Sequence, residues 1–240
     1  MRGAVVQYKP PKKSVDAGRE GLRELVLQAA SSEVELIVCP EMAVSGYVFS
    51  GPEDIRPYAE PAQGQTFQML SPIARKHGTW IVCGFAEIDG DRLFNSALVI
   101  DHTGELVGVY RKIHLYDADK PWAEPGTQRM LFETPFGTMA PAICMDLNDP
   151  KLWRWLVLNQ PDVLAFCCNW LNEGDPIDAY WKWCTQYWSG WFLGANTWGW
   201  DEGTEFRGES AIISPQKRTM VCAPIVGNGV FAVRDLEQSS

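Results

Sequence analysis

Three segments of this chain run an apolar stretch straight into a residue that can do chemistry. Leu36-Ile37-Val38-Cys39-Pro40 delivers Glu41, Val107-Gly108-Val109-Tyr110-Arg111 delivers Lys112, and Pro141-Ala142-Ile143 delivers Cys144, with Met145 and Asp146 behind it. α/β folds commonly place their sites at the C-terminal ends of such strands, so a carboxylate, an ammonium and a thiol are candidates to converge. The three types complement one another. Glu41 can take the thiol proton, the sulfur can attack a carbonyl carbon, and Lys112 can hold the charge that develops on the oxygen. That is acyl chemistry without histidine. The competing arrangement is a Cys–His pair of Cys144 with His114, which follows Lys112 closely in the chain.

Positioning these residues requires strands and helices in alternation. A strand over Ala4 to Tyr8 breaks at Pro10-Pro11, and Leu22, Leu25, Val26 and Ala29 then recur at helical spacing. The strand Leu36 to Cys39 stops at Pro40, a helix fits Thr66 to His77, and strands Trp80 to Phe85, Ala97 to Ile100 and Leu106 to Tyr110 are separated by turns at Asp89-Gly90 and Thr103-Gly104. Strand Met139 to Ile143, helix Lys151 to Leu158 and strand Val163 to Cys168 repeat the unit. A Trp-rich helix from Ile177 to Trp191 precedes short strands near Ala195, Ala211 to Ile213, Met220 to Ala223 and Gly229 to Val233. Without a linker, repeat or low-complexity tract, residues 1–240 read as one layered α/β domain with two sheets, since the strands are too many for one small sheet.

Composition narrows the function. Thirty acidic against 21 basic residues leave a net charge of −9, a field that repels phosphate and anionic lipid, so nucleic acid is not an expected partner. No run approaches the roughly 18 apolar residues of a membrane helix, and the N-terminal run is too short for a signal peptide. Seven cysteines, an odd number without framework spacing, read as reduced thiols in a cytoplasm. Cys167-Cys168 lacks metal-ligand spacing, and adjacent strand residues face opposite ways, so that pair reads as packing. Asn169-Trp170, after a buried strand parallel to the one carrying Cys144, is a pocket candidate. The tryptophans Trp181, Trp183, Trp188, Trp191, Trp198 and Trp200 read as subunit contact rather than pocket lining.

The blocks Pro40-Glu41-Met42-Ala43-Val44-Ser45-Gly46-Tyr47, Tyr110-Arg111-Lys112-Ile113-His114-Leu115 and Ile143-Cys144-Met145-Asp146 occur in that order, followed by Gly194-Ala195-Asn196 with Gly199 and by Phe206-Arg207-Gly208-Glu209-Ser210 before Pro215. Together they resemble the nitrilase superfamily of carbon–nitrogen hydrolases over nearly the whole chain. The resemblance implies a four-layer α-β-β-α sandwich that usually dimerises, water as the final acyl acceptor, and neither metal nor organic cofactor. It makes Cys144 the nucleophile, Glu41 the general base, and Lys112 with the Met145 N–H the oxyanion holder. Relatives carry a second acidic residue between lysine and cysteine. Asp119 and Glu124 are available, and counting back from Pro125-Gly126 favours Asp119. Cys144-Met145-Asp146-Leu147-Asn148, Trp122 and Gly46-Tyr47-Val48-Phe49 look most like the amino-terminal amidase branch, which deamidates asparagine or glutamine at a peptide N-terminus. On that branch Asp119 is expected to contact the substrate's α-amino group, the alternative being that it only orients Lys112. An ω-amidase, a nitrilase, an N-carbamoyl amidase and an inactive binding or assembly relative are the other readings.

Overall fold

The first strand, β1 (Gly3–Gln7), is buried along its whole length, and its alternate side chains go to different layers. Ala4 and Val6 pack with Leu22, Val26 and Ala29 of the following helix, whereas Val5 joins a core that takes in Met139 and Ala142 from the far half of the chain. Successive strand residues point to opposite faces, so a strand apolar on both belongs between two layers.

The computed structural model describes residues 1–233. In chain order the elements are β1, α1 (Val15–Ala30), β2 (Leu36–Val38), α2 (Pro52–Ile55), α3 (Gln65–His77), β3 (Trp80–Asp89), β4 (Arg92–Ile100), β5 (Leu106–Arg111), β6 (Phe132–Thr134) and β7 (Gly137–Ile143). There follow α4 (Pro150–Asn159), β8 (Val163–Cys167), α5 (Ile177–Cys184), β9 (Trp191–Ala195), β10 (Trp198–Asp201), β11 (Thr204–Arg207), β12 (Ala211–Ile213), β13 (Thr219–Cys222) and β14 (Gly229–Val233). Two six-stranded sheets form, ordered β14-β1-β2-β3-β4-β5 and β13-β12-β9-β8-β7-β6, with β10-β11 as a separate hairpin. Strands β1, β2 and β3 run parallel, as do β7, β8 and β9, while the outer strands are antiparallel. Helices α1 and α3 cover one outer face. On the other, Trp181 of α5 packs its ring 5.6 Å from Phe166 and 5.1 Å from Phe192. The result is a four-layer α-β-β-α sandwich.

Two expectations need correction. The helix beginning at Ile177 ends at Cys184 instead of continuing to Trp191, which starts β9. Thr185 turns its hydroxyl onto the Trp181 carbonyl, and at Gly190 a Cβ would sit 2.1 Å from the Trp188 ring, so this tight passage excludes side chains. The tryptophans also divide. Trp181 and Trp188 are core residues, the latter donating its indole N–H to the Pro161 carbonyl at 2.8 Å, while Trp183 and Trp200 are exposed. Strand β6, helix α2 and the β10-β11 hairpin had no counterpart in the sequence pattern. Among the described residues no helix is long and apolar enough to cross a membrane.

Candidate active site

Glu41 leaves the end of β2 on a segment pressed against β3. The Gly84 N–H bonds the Pro40 carbonyl at 3.1 Å and the Gly84 carbonyl accepts from Ala43 at 2.9 Å. A Cβ at residue 84 would lie 2.5 Å from Glu41 Cα, so only glycine lets the segment approach so closely. Lys112 follows β5 and is held on both sides of its peptide: its N–H goes to the Asn95 carbonyl and its carbonyl accepts from Gly126, each at 2.8 Å. Cys144 sits where β7 turns abruptly into the 3₁₀ turn Cys144–Asn148, at φ +41°, a region that non-glycine residues rarely occupy. The sharp turn brings the thiol to a cavity wall, with Sγ 3.7 Å from the Asn169 carbonyl oxygen.

Asp146 ties the thiol's turn to the lysine's strand. Its buried carboxylate accepts from the Ile143 N–H at 3.0 Å and the Tyr110 hydroxyl at 2.7 Å, and from the N–H groups of Ile113 and His114 at 3.0 and 2.8 Å. Burial raises its pKa, against those donors. Four bonds from two sheets make it a joint between the segments that carry Cys144 and Lys112.

The charged side chains close into a ring. Lys112 Nζ donates to Glu41 Oε1 at 2.7 Å and to Asp119 Oδ2 at 2.6 Å, and Asn95 Nδ2 donates to Glu41 Oε1 at 2.7 Å and to Asp119 Oδ1 at 3.0 Å. The side chains of Lys112, Glu41 and Asp119 are wholly enclosed. Burial works to lower the Lys112 pKa, but the two carboxylates outweigh it and hold the ammonium well above its ordinary value. Burial raises Glu41, with Lys112 opposing. Burial and the Glu41 charge push the Cys144 thiol well above its usual range, with Lys112 acting the other way, so the resting sulfur is protonated.

Asp119 therefore stands behind Lys112, also accepting the Tyr116 N–H at 2.9 Å, and it does not line the cavity. Both of its carboxylate oxygens are spent on the protein, the arrangement expected where Asp119 orients Lys112. Glu124 pairs at the surface with Arg92 at 2.8 Å. His114 is exposed and does not line the cavity, which removes the Cys–His arrangement. Cys167 and Cys168 are fully buried, and among the described residues no three His, Cys, Asp or Glu side chains are grouped to hold a metal.

A cavity of about 200 Å³ contains Cys144, Met145, Asn169 and Trp170 in its wall, as the sequence suggested, together with Tyr47, Tyr116 and Glu173. Buried polar atoms normally find partners, yet Glu41 Oε2, Tyr47 Oη, Asn95 Oδ1 and Asn169 Oδ1 have none. Asn95 escaped the sequence reading, although an asparagine inside the apolar run Leu93 to Ile100 was a signal that could have found it.

A model of the carbon-nitrogen hydrolase family matches residues 2–233. A nitrilase from Pyrococcus abyssi is 32% identical over 93% of this chain and 85% of its own length. A protein N-terminal amidase from Schizosaccharomyces pombe is 32% identical over 62% of this chain and 56% of that protein, and an omega-amidase from Danio rerio 35% identical over 63% and 57%. The fold is shared with an amidase from Nesterenkonia sp. AN1 at a TM-score of 0.87 and 20% identity, covering 99% of this chain and 93% of that one.

Proposed function

This chain belongs to the carbon–nitrogen hydrolase family, and from that premise we propose that it hydrolyses a small primary amide to acid and ammonia, with asparagine or glutamine at a peptide N-terminus as the preferred substrate. The observation that carries the reading is the enclosed Glu41–Lys112–Asp119–Asn95 ring beside the thiol of Cys144, which opens on a cavity of about 200 Å³. Glu41 has one oxygen committed to the ring and one, Oε2, without a partner, so it can take the Cys144 proton as Sγ attacks the amide carbon. Lys112 has three N–H donors and two are used inside the ring. The third, with the Met145 N–H, holds the oxyanion.

Glu41 then returns the proton to the amide nitrogen, the C–N bond breaks, ammonia leaves and a thioester remains on Cys144. Water attacks the thioester carbon as Glu41 takes its proton, the C–S bond breaks, and that proton goes back to sulfur. The sum is amide plus water to acid plus ammonia. Asp119 and Asn95 act through Lys112 and Glu41, as positioning residues.

An ammonia-release screen across peptides with N-terminal asparagine or glutamine, aliphatic amides, nitriles and N-carbamoyl amino acids tests this. The peptides are expected to lead, and Cys144→Ala to release none. Release led by nitriles or carbamoyl compounds, or turnover by Cys144→Ala above a tenth of wild type, overturns the reading. The proposal includes a reducing, cytoplasmic setting for the seven free thiols. It also includes a homodimer joined through the exposed Leu158, Trp183 and Tyr187 beside α4 and α5; a strictly monomeric species in sedimentation at micromolar concentration would remove that part.

A further inference from the structure

The cavity around Cys144 has a single charged side chain in its wall, Glu173. An adjoining groove of about 530 Å³ shares Asn148, Trp170, Leu171 and Glu173 with it and adds Asp175 and Tyr180. Among the described residues, no lysine, arginine or histidine lines either space. Glu173 is exposed, and no hydrogen bond or ion pair engages its carboxylate among the described residues. Asp175 differs, since the Arg207 guanidinium, which binds Glu209 through two bonds of 2.9 and 3.1 Å, lies within its electrostatic reach.

Two further features point to a bound ligand. Asn169 is 4% exposed, lines the cavity beside Cys144, and has its Oδ1 unpartnered, an acceptor waiting for an N–H. The rings of Trp170 and Tyr180 pack with centroids 5.7 Å apart on the groove wall, and aromatic faces favour a cation over an anion. Acceptors, carboxylates and aromatic faces with no cation in either wall make a mouth of one sign.

We propose that this mouth selects amides carrying a positive charge a few bonds from the scissile carboxamide, with Glu173 binding the ammonium and Asn169 Oδ1 accepting from the carboxamide NH₂. The inference rests on the amidase reading and deepens it. Asparagine and glutamine at a peptide N-terminus carry such an ammonium, one methylene further away in glutamine, whereas an amide with a carboxylate at the same place meets a like charge. Glu173 takes the recognition role that the enclosed Asp119 cannot fill.

The test compares three amides with the same three-carbon arm, 4-aminobutyramide, butyramide and glutaramate, by ammonia release, and three alkylating agents, 2-bromoethylammonium, iodoacetamide and iodoacetate, by mass mapping of Cys144. Wild type is expected to rank cation over neutral over anion in both series, each alkylation rate being taken relative to the same reagent's rate with 2-mercaptoethanol. Glu173→Gln should cut the cation-to-neutral ratio about fivefold, the scale of one exposed ion pair. Glu173→Lys should reverse the order. Ranks that ignore charge in wild type, or that survive Glu173→Gln unchanged, overturn the proposal. Failure of all N-terminal asparagine and glutamine peptides with the alkylation ranking intact would instead remove the peptide substrate and leave the mouth standing. Equal hydrolysis of free and N-acetylated peptides would do the opposite.

Discussion

Asp119 and Glu173 are both carboxylates near the same lysine–cysteine machinery, and they live in opposite conditions. Asp119 is enclosed, with Lys112, Asn95 and the Tyr116 N–H filling both oxygens, whereas Glu173 is exposed with its carboxylate unengaged. In a low-dielectric interior, charge interactions are strong and every partner must be present, so the ring around Lys112 can tune reactivity but has nothing left over for a ligand. At the mouth water weakens each interaction, and an unpaired carboxylate costs little to keep free for a substrate. On the proposed function, the region that does the chemistry is blind to what the substrate carries, and the region that reads the substrate contributes little to the chemistry.

Lys112→Met breaks the enclosed side of this comparison most severely. Loss of one oxyanion donor typically costs a hundredfold to a thousandfold in turnover, and here it also strands two buried carboxylates. Cationic, neutral and anionic amides should fall by the same factor in steady-state assays. Retained activity would take the oxyanion role away from Lys112.

Asp119→Asn is a milder cut on the same side. Hydrogen bonds to charged groups contribute about 1.5–3 kcal/mol, so kcat should drop roughly tenfold to a hundredfold while KM moves little. The charge preference of the enzyme should stay as it was. A larger loss on free-amine substrates than on butyramide would return the amine contact to Asp119 and erase the contrast with Glu173.

The smallest effect is a shift in titration, and its sign is informative. Burial and then Glu41 raise the Cys144 pKa, while Lys112 lowers it. Glu41→Gln removes a negative neighbour, so the thiol should titrate at lower pH than in wild type, and Lys112→Met should move it higher. Thiolate absorbance against a Cys144→Ala blank reads both. Glu41→Gln should thus hold more thiolate at a given alkaline pH and yet fail to turn over, because the base that receives and returns the proton is gone. Turnover that rose with the thiolate fraction in Glu41→Gln would remove Glu41 as the base.

What the sequence determined by itself was local. An apolar run that ends on Glu41, Lys112 or Cys144 marks a strand tip with a reactive residue, and the apolar run Ala4-Val5-Val6 marks a strand. Asn169 and Trp170 were legible as cavity residues because they follow a buried strand beside the one leading to Cys144. The tertiary structure decided the rest, because side-chain period reports which face of an element is buried and is silent on what lies opposite. Lys112 meets Glu41 across 71 positions of sequence and Asp146 bonds Tyr110 across 36. Gly84 is needed only because the Glu41 segment crosses it. Trp181 and Trp183 are two places apart in one short helix, so they point different ways, and only the sheet packed beneath α5 determines that Trp181 is core and Trp183 surface. Asp119 was visible as an acid in a polar loop; the enclosure of its carboxylate exists only once β4 and β5 have brought Asn95 and Lys112 against it.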